Sequence, residues 1–272
     1  MDRIKYYEKL INMKSEDRGR EAFWDAKAKS FSEKQNMLPD MIPEEVTRFL
    51  ASNEYLQSDT SVLDIGGGSG RYAIPMAKIA SRVTITDISA NMLKYAKENV
   101  DNSGVKNIDY AKLDIKTADI KTMGWEGKYD LVFANMCPAI SSAADLETMM
   151  LAANKWCALG RFTEKADNVT SAIREVLNIP DSPDPHTDRN FTYAFFNILW
   201  LKGYTPLVNY FSEETVSEIS LEEIISSYSP KFRDTAKEAG KDVEEIISSL
   251  AVNDIITVKR RSTLALLLWE IN

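Results

Sequence analysis

Histidine is almost missing from this chain: one residue, His186, in 272. That excludes a metal cluster built mainly on imidazole, and no metal site is expected. Cysteine is nearly as scarce. Cys137 and Cys157 alone cannot make a disulfide framework or a zinc site of the usual spacing. No apolar run is long enough to span a bilayer. The opening segment "MDRIKYYEKLINMKSEDR" is charged throughout and lacks the apolar centre of a signal peptide, so a soluble, cytoplasmic protein is expected. A basic stripe is lacking too. Net charge is −8, and the only short basic run, Lys259-Arg260-Arg261, lies between two apolar segments and reads as a solvated hairpin turn. Attraction to nucleic acid or to an anionic membrane is therefore not expected.

What remains is ordinary globular composition, 44% hydrophobic and 27% charged, enough for one large core. Before residue 58 the pattern is helical. Trp24, Ala28 and Phe31 share one face, and Pro43 with two following glutamates suits a helix start in "IPEEVTRFLASNEYL". From residue 61, short apolar runs alternate with helical ones. "SVLDIG", "RVTITD", "NIDYAKLD", "KYDLVFANM" and "KWCALGRFT" read as strands, with helices such as "RYAIPMAKIA", "ANMLKYAKENV" and "AADLETMMLAAN" between them. Such alternation implies an α/β fold with a parallel sheet covered on both faces. Towards the C-terminus, "FTYAFFNILWLKG", "LEEIISSYS" and "DVEEIISSL" suggest helices, and "TPLVNYF", "DIITV" and "TLALLLWEI" suggest three strands.

The loop "VLDIGGGSG", residues 62–70, follows the first strand. A dinucleotide fingerprint starting at Gly66 would need a small residue at position 71, which is Arg71. A P-loop is excluded because no Gly-Lys-Ser/Thr follows. Asp64 would repel a pyrophosphate by several kcal/mol in a poorly solvated site, by a roughly low-dielectric estimate. The same charge favours a cationic ligand.

On these residues the sequence resembles the class I S-adenosylmethionine-dependent methyltransferases, over about residues 58–140. "LDIGGGSG" matches their acidic-x-Gly-x-Gly-x-Gly loop at Asp64, Gly66, Gly68 and Gly70, with Gly67 filling a variable position. In "TITDIS", Asp87 corresponds to the acid that binds the ribose hydroxyls. In "AKLDI", Asp114 and Ile115 correspond to the residues that meet adenine. "YDLVFANM", which contains Asn135 as a further cofactor-binding candidate, matches strand four, whose loop faces the methyl group. The chemistry agrees: a carboxylate accepts from both vicinal hydroxyls, and Ile88 and Met92 offer apolar walls to a purine.

The resemblance implies a doubly wound, seven-stranded, mostly parallel sheet (the Rossmann-like methyltransferase fold), with one antiparallel strand near the edge. An N-terminal helical cap over residues 1–57 would precede a cofactor-binding domain over 58–272, which carries an insertion at about 180–253. Cap and insertion would together roof the active site, with Trp24 and Tyr7 closing over the cofactor.

On the acceptor side, "NMCPAISS" lacks the Asn-Pro-Pro-Tyr loop of amino-methylating nucleic-acid enzymes. Cys137-Pro138 reverses the Pro-Cys of cytosine carbon methyltransferases, so Cys137 reads as a small lining residue. His186, Asp188 and Tyr193 are candidate bases for the acceptor's proton. Tyr193, Phe196 and Trp200 are candidate pocket walls. The expectation is methyl transfer from S-adenosylmethionine to a small molecule, in a protein that could form a homodimer. Methylation of RNA or protein, or cofactor binding without catalysis, are the alternatives.

Overall fold

The computed structural model describes residues 2–11, 21–37, 41–180 and 187–271. Three N-terminal helices, α1 (Arg3–Glu8), α2 (Glu21–Met37) and α3 (Ile42–Ser52), precede the sheet. Then come β1 (Ser61–Ile65), α4 (Ala73–Ala77), β2 (Arg82–Asp87), α5 (Ala90–Ser103), β3 (Ile108–Lys112) and β4 (Tyr129–Asn135). The chain continues through α6 (Ala143–Leu151), β5 (Ala153–Asp167), α7 (Asn168–Val176) and α8 (Arg189–Leu201). It closes with β6 (Leu207–Ser220), α9 (Leu221–Glu238), α10 (Val243–Ser248) and β7 (Ile255–Glu270).

The strands form one seven-stranded sheet in the order β3-β2-β1-β4-β5-β7-β6, with β7 antiparallel to both neighbours and the other described pairs parallel. This is the doubly wound sheet with one antiparallel strand near the edge that the resemblance implies. Its inner strands are apolar on both faces because each face has its own core. Leu63, Val132 and Leu159 point into a core with α6 and α8. Val62, Leu131 and Phe133 point into the other, with α3, α4 and α5.

Three expectations need correction. "DIITV" and "TLALLLWEI" are not separate strands, and Lys259-Arg260-Arg261 is not a turn. Apart from Asp254 and Ile271 they lie within β7, which pairs with β6 from Ile255 and with both β6 and β5 from Arg260. Both ladders satisfy the backbone there, so charged side chains do not break the strand. Likewise "TPLVNYF" is only the start of the 14-residue β6, and β5 runs on past "KWCALGRFT" to Asp167.

The second correction concerns the cap. Only α2 lies over the cleft; α3 buries Ile42, Val46 and Leu50, spaced i, i+4, i+8, in the core beneath the sheet. Third, the far end of the β5–β7–β6 ribbon carries its own small core. Val169 and Ile173 of α7, Ile224 and Phe232 of α9, and Ile247 of α10 cover Ile256 and Val258 of β7. This roof begins before residue 180, while α8, within the expected insertion, packs on the opposite side of the sheet.

Candidate active site

A cleft of about 1330 Å³ opens at the carboxyl ends of β1, β2 and β4, where open α/β sheets bind ligands. The glycine loop forms its floor. Gly66, Gly68 and Gly70 have φ values of +66°, +55° and +87°, a region that side chains with a Cβ rarely adopt. The loop is tied to β2 by Gly67 N–H donating to the Thr86 carbonyl at 2.9 Å. Gly67 is not a variable position here. A Cβ on it would lie 2.6 Å from Asp64 Oδ2 and 3.0 Å from Ile85 Cγ2, so the close approach itself requires glycine.

Asp64 is 2% exposed, and its Oδ2 has no hydrogen-bond partner among the described residues. Burial pushes its carboxyl up to about 7, with the nearby Asp87 adding to the shift. Asp87 is also buried, which raises it to about 6 against the opposing pull of N–H donors from Ser89 at 2.8 Å and Gly68 at 3.1 Å. Two buried carboxylates, one with an orphaned oxygen facing a cleft, call for a cation and for hydroxyl donors.

Asp114, Ile115, Ile88, Met92 and Asn135 line the same cleft. Ser89 Oγ caps α5 by accepting from Met92 N–H at 3.0 Å, which fixes the turn after Asp87. The roof over this half is α2, whose Trp24 and Phe31 face the cleft. Asp25 holds α2 down by accepting from Ser89 Oγ at 2.6 Å and Asn91 N–H at 3.2 Å. Lys112 adds an ion pair to Glu21 at 2.6 Å.

At the end of β4, Asn135 Oδ1 is a second buried oxygen without a partner among the described residues. It lies 2.1 Å from where a Cβ on Gly160 of β5 would stand. Met136 follows at φ +53° and donates its N–H to the Gly160 carbonyl at 2.9 Å. Cys137 packs under Gly66, where a Cβ would meet its Sγ at 2.7 Å. Burial pushes the Cys137 thiol up to about 12, which removes it as a nucleophile and leaves it a lining residue.

The structure does not bring together the expected acceptor-side residues. His186 lies outside the described residues. Asp188 caps α8, accepting from Asn190 N–H at 2.9 Å, and does not line the cleft. Tyr193 is 53% exposed on α8 and packs on Tyr7 with ring centroids 5.7 Å apart, so neither reaches the cleft. Phe196 and Trp200 stack on each other at 6.2 Å, also away from it. The reason is packing: Phe191, Phe195, Ile198 and Leu199 commit α8 to the core on the far face. Missed by the sequence reading were Gly160, Phe162 and the outer ribbon residues Lys165, Arg260 and Glu213. Gly160 inside an apolar strand was the one available signal of a close approach.

The fold and this geometry define a class: a Rossmann-like domain with a glycine loop and two buried strand-end carboxylates at the carboxyl edge of its sheet. Comparison with known proteins agrees. Residues 62–160 match the family profile described as a methyltransferase domain. The chain is 42% identical over 88 residues to a ribosomal protein L11 methyltransferase of Lactobacillus johnsonii, covering 32% of this chain and 26% of that one. It is 30% identical over 130 residues to the protein of that name from Caldicellulosiruptor saccharolyticus, covering 47% and 41%. The chain thus spans between a quarter and two fifths of the length of these relatives. A solved candidate type II methyltransferase from Anaeromyxobacter dehalogenans shares the fold, with a TM-score of 0.56 at 13% identity, over 83% of this chain and 95% of that one. Residues 62–160 are thus similar to methyltransferase domains, and the sheet has the Rossmann-like methyltransferase fold.

The two raised carboxyls make binding pH-dependent. Their pKa values, about 7 and about 6, lie above the ordinary 3.8, so the native state without ligand holds protons that the unfolded chain releases. Stability of that state therefore falls as pH rises from about 4 to about 7. A ligand whose ammonium faces ionised Asp64 and whose hydroxyls face ionised Asp87 would bind more tightly as both acids lose their protons, so affinity for S-adenosylhomocysteine is expected to rise over the same upper range. Calorimetry in two buffers of different ionisation heat should show proton release near about pH 6 that vanishes above about pH 8. Affinity independent of pH would contradict a role for these two acids in holding the ligand.

Proposed function

We propose that this protein transfers the methyl group of S-adenosylmethionine to a small-molecule acceptor. One observation carries the reading: the buried, orphaned Asp64 carboxylate beside a glycine loop, with Asp87 and Asp114 at successive strand ends of the same cleft. Asp87 would accept from the ribose hydroxyls, and Asp114 from the adenine amine between Ile115, Ile88 and Met92. Asp64 would face the cationic amino-acid tail, with Gly66 and Gly68 allowing close approach. When bound, S-adenosylmethionine supplies an electrophilic methyl whose bond to sulfur breaks, the electron pair returning to sulfur, as the acceptor's lone pair forms the new bond. The chain's part is to align the acceptor, exclude water beneath α2 and the ribbon roof, and let the acceptor's proton leave.

A small acceptor is favoured by the roof and by the net charge of −8, which opposes a nucleic-acid surface. The L11 methyltransferase relatives methylate a ribosomal protein by name. Their likeness covers less than half of this chain. The deciding assay supplies methyl-labelled S-adenosylmethionine to the protein with an extract split into small-molecule and macromolecular fractions. Label is expected in the small-molecule fraction. Label on ribosomal protein or RNA instead would overturn the acceptor class while leaving methyl transfer in place.

A further inference from the structure

The cleft does not end at the cofactor half. It continues along one face of the β5–β7–β6 ribbon, between two apolar clusters. Phe162, Leu264 and Phe211 close one side, and Val258 and Ile256 the other. Between them lie two paired rows, Lys165–Ser262–Glu213 and Asp167–Arg260–Thr215. All six residues line the cleft. A covered face between two cores is where apolar side chains would stabilise the fold most. Polar residues there leave a chamber instead.

The chamber's charge is asymmetric. Two of its carboxylates are engaged in the fold. Asp167 caps α7, accepting from Thr170 N–H at 2.7 Å and Oγ1 at 2.9 Å, and Glu213 accepts the Met41 N–H at 3.1 Å through both oxygens. Glu175 is the third. Facing them are Lys165, Arg260, Arg174 of α7 and Lys231 of α9, in a chain of net charge −8. Arg174 also donates to the Pro180 carbonyl at 2.6 Å, and Arg260 lies against Tyr228. Lys165 and Arg260 are diagonal neighbours on one face, roughly 7–8 Å apart at their bases, within reach of one anionic group. Lys165 Nζ sits 3.8 Å over the Phe162 ring. The Phe162 N–H contacts Met136 Sδ at 3.4 Å, so this end of the chamber adjoins the loop after β4.

We propose that the methyl acceptor is a small anion, a carboxylate or phosphate ester, held by Lys165 and Arg260 with its nucleophilic atom towards Asn135 and Met136. This rests on the methyltransferase reading and names the substrate class of that site. Neutral and cationic acceptors are disfavoured by the same charges.

The test uses the full chain saturated with S-adenosylhomocysteine, titrated calorimetrically with inorganic phosphate and with succinate. At least one is expected to bind, and which one does separates a phosphate from a carboxylate preference. Lys165→Gln and Arg260→Gln should each weaken that binding by roughly tenfold or more and leave S-adenosylhomocysteine affinity unchanged, and Arg260→Lys should lose less than Arg260→Gln. In the labelled-methyl assay, the product should be retained on an anion-exchange resin and fall in the same variants. Failure of both anions to bind, or a neutral or cationic product, would overturn the proposal alone. Failure of S-adenosylhomocysteine itself to bind would remove the underlying reading.

Discussion

Replacing Asp87 by alanine is expected to weaken S-adenosylhomocysteine binding by roughly 100-fold or more while leaving the sheet intact. Two effects add. The ligand loses an ionised acceptor for two ribose hydroxyls, and charge-assisted hydrogen bonds of this kind are worth about 1.5–3 kcal/mol each. The Gly68 and Ser89 N–H groups also lose their common acceptor, so the glycine loop and the α5 cap loosen together. The fold should survive because removing Asp87 also removes a buried charge whose ionisation the native state resists. Asp87→Asn offers a check. It keeps an acceptor but not the charge, and should fall between wild type and alanine. Unchanged affinity in the alanine variant would count against the ribose assignment.

A second large effect is expected at a residue that touches no ligand. Gly160→Ala places a methyl 2.1 Å from Asn135 Oδ1, closer than any contact a side chain tolerates. Neither partner has slack. Gly160 pairs with Asn135 in the β4–β5 ladder, and its carbonyl accepts the Met136 N–H. The Asn135 side chain must therefore leave its buried position or the loop after β4 must shift. We expect methyl-transfer turnover to fall by about 100-fold, as for misplacement of about 1 Å at a reacting centre. Cofactor affinity should change much less, because Asp64, Asp87 and the glycine loop are untouched. A variant that keeps its turnover would show that the Asn135 position does not matter to the chemistry. Thermal unfolding separates this from collapse: overpacking of this size costs typically 1–3 kcal/mol, roughly a few degrees in a chain of this length.

The cofactor half was legible in the sequence because its parts are local. An acid, three glycines in left-handed turns and two further strand-end acids fall at fixed places in a β-α-β rhythm, so Asp64, Asp87 and Asp114 could be placed by pattern. That the inner strands form a parallel sheet covered on both faces followed from short apolar runs alternating with helical ones. The acceptor half was not legible for the opposite reason. Its residues come from β5, β6, β7, α7 and α9 and meet only through antiparallel registers spanning up to about a hundred positions. The outer ribbon is polar towards the cleft, so "EKAD" and "SEETVSEIS" fell outside the expected strands and Lys259-Arg260-Arg261 read as a turn. The aromatic helix misled in another way. Tyr193, Phe196 and Trp200 gave α8 the look of a pocket wall, but Phe191, Phe195 and Ile198 bury the helix's other face in a core. Close approach is equally invisible to pattern: nothing in the sequence marks Gly67 as confined by Asp64 and Ile85.

The account stands on the claim that the glycine loop and its carboxylates hold a cationic sulfur nucleoside and reject a pyrophosphate. Isothermal calorimetry of the full chain with S-adenosylmethionine, S-adenosylhomocysteine and NAD, in one buffer near neutral pH, tests it most directly. Both sulfur ligands should bind at a single site and NAD should give no heat of binding. Saturable binding of NAD with neither sulfur ligand bound would contradict the account.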